Sequence, residues 1–141
     1  MSTIENQPWR ALPPHVASVI SPEIATLRDE IIGAISHEVP EYARPLEGAF
    51  GRGIERGVEE ALLQFVELIE HPGRGRAQSR EVYRALGRGE MRSGRSLDVL
   101  QAAYRIGARA TWRRLAEAGL RAGLEAPVLC SLAESVFAYI D

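Results

Sequence analysis

The residues of this chain best equipped for chemistry are its arginines. All 17 basic residues are arginine and none is lysine. A guanidinium presents a rigid fork of donors, so this composition favours bidentate pairing with carboxylates or phosphates. A GC-rich coding background gives the same composition without functional consequence. Seven arginines (74, 76, 80, 84, 88, 92 and 95) crowd into Arg74–Arg95 against only Glu81 and Glu90. Arg105, Arg109 and Arg113 follow at four-residue spacing, which places them on one face of a helix. Basic helices joined by a glycine-containing turn are one mark of a helix-turn-helix DNA reader. Here the connection GRGEMRSGR is too long for the tight turn, and the helix that would enter the groove is mostly Leu, Ala and Tyr. Direct nucleic-acid binding by this segment is not expected. Pairing with acids elsewhere in the chain and lining a partner-docking face stay open as roles for the arginines.

The other candidates for chemistry are weaker. His15, His37 and His71 share no i, i+4 relation with one another or with Cys130, so no metal-ligand set is formed. No histidine falls on an apolar stripe, as a haem ligand would. His37 and His71 fit the last turns of helices, where a cationic side chain complements the dipole. Cys130, between Leu129 and Leu132, reads as a small core residue. Glu59–Glu60 and Asp29–Glu30 read as solvated acids on helix surfaces. Gly51-x-Gly53 follows no strand, and GRGEMRSGR lacks the Lys-Ser/Thr of a phosphate loop. No cofactor, no metal and no enzymatic activity are expected.

The elements that must position these residues are helical throughout. With 45% hydrophobic and 26% charged residues, the 141-residue chain fits one globular domain that needs no disulfide or metal staple. Its N-terminus lacks a secretory signal, no apolar run approaches the ~20 residues of a bilayer span, and one cysteine fits a reducing compartment. A cytoplasmic protein is expected. Residues 1–14 read as a partly ordered arm with a Trp9–Leu12 pair able to dock. Val16, Val19 and Ile20 give a short helical segment, and Ser21-Pro22-Glu23 reads as a helix start with Ser21 as N-cap. Ile24, Leu27, Ile31, Ile35 and Val39 form a helical stripe that Pro40 stops, and VPEYARP reads as a kinked link. A second long helix is predicted from about Pro45, with Leu46, Phe50, Ile54, Val58, Leu62, Phe65 and Ile69 on one face. Gly48, Gly51, Gly53 and Gly57 within it predict a close backbone approach, a bend or a late start. A short helix over Ser79–Leu86 precedes the glycine-punctuated connection. The longest pattern opens at Ser96, carries Leu97, Leu100, Tyr104, Ala108, Thr111 and Leu115, and ends at Gly123 as an αL cap. Val128, Leu132, Val136 and Ile140 form the last stripe. With no strand-like alternation, the fold class is all-α, about five to six helices. The last stripe has no stop signal, so an output domain is expected downstream of Asp141. Residues 1–70 carry a net charge of -7 and residues 71–141 carry +5. Such a split serves either attraction between two halves of one fold or two faces for different partners.

The segment RALGRGEMRSGRSLDVLQAAYRIGARATWRRLAEAG, with PWRALPP and EVPEYARPLEGAFGRGIERGVEEAL ahead of it, resembles the RsbR/RsbRD-type N-terminal domain of stressosome co-antagonists. In actinobacteria that domain commonly precedes a PucR-type helix-turn-helix output domain. The resemblance spans Trp9 to Asp141 and is most specific at Gly94-Arg95-Ser96-Leu97-Asp98, Ala103-Tyr104-Arg105 and Gly107-Ala108-Arg109. It implies a globin-like helical bundle without haem, often a homodimer, placed ahead of a signalling output. The implied function is the sensory, regulatory and dimerisation domain of a PucR-family transcription regulator. A stressosome scaffold domain and a small-molecule-binding helical sensor are the alternatives. Arg95, Asp98, Tyr104, Arg105 and Arg109 match the family pattern, either as a buried ion-pair lattice seating the long helix or as effector and partner contacts.

Overall fold

Apolar residues at three- and four-residue spacing can bury one stripe per helix only by packing the helices against each other. The computed structural model describes residues 7–43, 49–72 and 97–140. Among them there is no strand, and six α-helices form, consistent with the all-α class. They are α1 (His15–Ile20), α2 (Ile24–Glu38), α3 (Pro40–Ala43), α4 (Ala49–Glu70), α5 (Leu97–Arg121) and α6 (Ala126–Ile140). The stretch Arg74–Arg95, the helix expected over Ser79–Leu86, and Leu46 and Gly48 lie outside the described residues.

Helix α2 is the hub and packs on α3, α4 and α5, while α5 also carries α6. Its stripe is the expected one: Ile24, Leu27, Ile31 and Ile35 are buried, and Val39 closes the helix in extended conformation, also buried. The N-terminal segment docks more firmly than an arm would. Pro8–Ala11 forms a 3-10 turn against α6 and α4, with Trp9 fully buried and Leu12 nearly so.

Two local expectations are corrected. Ser21 is not an N-cap: its backbone is helical (φ -53°, ψ -43°), and it makes no side-chain capping bond. The chain runs from α1 through a 3-10 turn at Ser21–Glu23 directly into α2. The Ser21 amide already bonds the Ala17 carbonyl, and Pro22 has no N–H to place, so the turn tightens instead of restarting. The link after Val39 also holds a helical turn, α3.

The α5–α6 corner follows its signals. Gly123 has φ +79°, the left-handed region that glycine enters without a Cβ penalty. The Leu124 amide donates to the Gly119 carbonyl at 2.9 Å and that of Gly123 to Leu120 at 3.1 Å, a Schellman closure. Gly119 lets the two helices meet closely, since an added Cβ would stand 2.8 Å from Leu129 Cδ2. The glycines of α4 do not share one such reason, because an added Cβ at Gly53 would meet nothing within 4 Å.

Candidate functional site

The bundle has two unlike ends. At one, Trp9, Val16, Ile20, Leu27, Leu68, Ile69, Leu115 and Leu132 are at most 1% exposed and fill the interior. Beside this end, arginines tie the helices together. Arg114 Nη2 donates to Thr26 Oγ1 at 2.6 Å, and the same guanidinium reaches Glu23 at 3.4 Å and Glu30 at 3.7 Å. Arg121 adds a contact to Glu23 at 3.4 Å. These pairs join the basic second half of the chain to the acidic first half, the first of the two readings of the charge split. Arg28 of α2 bridges to α4 through Glu59 at 2.5 Å and Glu55 at 3.5 Å, and pairs with its neighbour Asp29. The hydrogen bond that Arg28 donates to Glu59, then that to Asp29, holds its guanidinium above its ordinary range. Glu59, Asp29 and Glu30 are therefore engaged acids, not merely solvated ones.

At the other end the same helices line a half-open cavity of about 110 Å³. Helix α2 contributes Ile31 and Ile35, α3 Tyr42, and α4 Ile54, Val58, Ala61, Leu62 and Phe65. From α5 come Leu100, Ala103, Tyr104, Gly107, Ala108 and Thr111, and from the last turns of α6 Val136, Tyr139 and Ile140. No charged side chain lines it among the described residues. Among the described residues, the polar side-chain groups on the wall are three tyrosine hydroxyls and that of Thr111, which is buried. Tyr139 Oη donates to the Ala61 carbonyl at 2.7 Å, and its ring lies 5.2 Å from that of Phe65 at a tilt of 52°. One aromatic side chain thus ties the end of α6 to the middle of α4. Protein interiors are normally packed with few voids larger than a water molecule.

The residues singled out from sequence fall unevenly about this site. Tyr104 stands on the cavity wall, half-buried. Asp98, in the first turn of α5, and Arg105 and Arg109 along it are exposed, and Arg95 lies outside the described residues. The long helix is seated by Arg114 and Arg121, which the sequence pattern did not mark. Cys130 is exposed, not a core residue as its leucine neighbours had implied. His15, His37 and His71 are exposed too, and none reaches the cavity. Among the described residues no cluster of three or more His, Cys, Asp or Glu is arranged to hold a metal ion, and no helix is long and apolar enough to cross a membrane. The residues missed were the small ones. Ala61 passed as an ordinary helix residue, and Ala103, Gly107 and Ala108 were marked only as stripe or family-matched positions, although Gly107 in the middle of a 25-residue helix was a usable signal.

Fold and site together define an all-helical domain whose distinguishing internal feature, among the described residues, is an apolar cavity. The family model for the PucR-like N-terminal domain matches residues 9–141, and the chain belongs to that family. No curated protein and no solved structure matches it significantly.

Proposed function

We propose that this chain is the sensory and regulatory N-terminal domain of a PucR-family transcription regulator, working without enzymatic activity in the cytoplasm. The observation that carries this reading is the place of α6. Its last turns supply Val136, Tyr139 and Ile140 to the cavity wall, so whatever fills or empties the cavity acts on the helix that leads out of the domain. A change in cavity packing is passed to a helix-turn-helix output downstream as a bias between two arrangements of that helix. Family membership supports the regulatory role, and the resemblance to haem-free, globin-like RsbR-type domains of actinobacteria fits it. The domain works as a homodimer. Leu63, Leu120 and Phe137 are 48%, 66% and 47% exposed and offer apolar surface to a second copy. The exposed row Arg105, Arg109 and Arg113 is left for partner contacts.

Deleting residues 1–141 from the full-length regulator tests the reading. Regulation or oligomeric state is expected to change while intrinsic DNA binding persists. A truncated protein that matches the intact one in both respects contradicts it.

A further inference from the structure

The cavity, about half open to solvent, has the size and polarity of a ligand site, and each property narrows the ligand. Its volume of about 110 Å³ is a little below that of an engineered apolar cavity of about 150 Å³ in another protein, which stays dry and takes up benzene. Its described lining carries no cation and no acid, although charged residues make up 26% of the chain and Arg105 and Arg109 stand on the same helix as Tyr104 and Gly107, turned to its exposed face. A carboxylate or phosphate placed here would give up hydration for at most hydroxyl donors and no cation, which disfavours anions. Aromatic rings of Phe65, Tyr104 and Tyr139 stand around the space, suited to edge and face contacts with a flat or aliphatic guest.

The void is not forced on the fold by crowding. Gly107 lies on its wall, and a Cβ added there would meet only Ile31 Cγ2, at an ordinary 3.6 Å. Ala103 and Ala108 stand on the same wall, where larger side chains would close the space. The helices have room for their own filling and lack it.

We propose that this cavity binds a small, uncharged, apolar molecule of roughly six to eight non-hydrogen atoms, in class an aromatic hydrocarbon or a simple alcohol. Binding fills the hollow end, replaces missing dispersion contacts and holds the last turn of α6 against α4. The proposal deepens the regulatory reading above by giving it a ligand class, and the two fail separately.

Toluene, benzyl alcohol and benzoate share a ring and differ in polarity and charge, so they serve as probes on the chain itself. Toluene and benzyl alcohol are expected to raise Tm saturably and to shift the methyl resonances of Ile31, Val58 and Val136, while benzoate does neither. Ala103→Leu occupies the void and is expected to weaken toluene binding by roughly tenfold or more. Gly107→Ala, for which the structure has room, narrows the same space and serves if the leucine variant does not fold. The proposal is overturned if toluene gives no saturable shift up to its solubility. It is equally overturned if benzoate binds as tightly as benzyl alcohol, or if the folded filling variant binds toluene like the original chain. Saturable toluene binding that leaves DNA binding and transcription by the full-length regulator unchanged would count against the regulatory reading alone.

Discussion

Helices α2, α4, α5 and α6 each run from a filled end of the bundle to a hollow one. Leu27, Leu68, Leu115 and Leu132 mark the first end and are at most 1% exposed. Ile35, Val58, Tyr104 and Ile140 mark the second, around the cavity. The same four helices therefore serve two purposes. Close-packed leucines and the Arg114–Glu23 pair hold one end firmly, and the missing volume leaves the other able to change. A regulatory domain needs both, a fixed body and a part whose packing has more than one solution.

Substitutions at the two ends can break this comparison. The largest loss is expected at the filled end: Leu27→Ala or Leu115→Ala should cost about 2–5 kcal/mol in denaturant unfolding, because no neighbouring side chain has room to relax. Ile54→Ala on the cavity wall, where the side chain is only half-buried, should cost about 1–2 kcal/mol. Equal losses at both ends would erase the distinction. Tyr139→Phe keeps the ring but removes the donor to Ala61, and should cost about 1 kcal/mol with faster amide exchange confined to the end of α6. Arg114→Met should cost the least, about 1 kcal/mol or below, and less again at high salt. A salt-independent loss of several kcal/mol would show that the ion pairs, not the leucines, hold the filled end. The raised Arg28 sets no pH window near neutrality. A cation whose folded value lies above its unfolded one keeps its contribution below that value, which for arginine means everywhere short of extreme alkali.

Much of this fold was legible because helical stripes are sums of local repeats. Ile24, Leu27, Ile31 and Ile35 are buried as their spacing requires, and the Gly123 cap needs only local backbone geometry. Ser21 misled because its surroundings form a start signal, yet helix α1 had already supplied the bonds that a cap would make. Cys130 misled because adjacent leucines outweighed angle. It lies about 200° round the helix from both Val128 and Leu132, on the face away from their stripe. The cavity left almost no trace in the sequence. A void is volume that several helices together fail to supply, and Ala61, Ala103 and Ala108 are each unremarkable helix formers. Of the family-matched segments, Ala103, Tyr104, Gly107 and Ala108 reach it, while Arg105 and Arg109 between them point along an exposed face.

Native-state hydrogen exchange within single helices tests the division most directly. Ordinary fraying protects the middle of a helix better than the turns near its end. Here the amides of Val58 in α4 and of Ala108 in α5, both mid-helix beside the cavity, are expected to open more readily than those of Val66 and Leu115, buried away from it and nearer the helix ends, with protection lower by roughly tenfold. Protection that is highest at mid-helix in both α4 and α5, or uniform along them, would contradict a bundle with one rigid end and one yielding end.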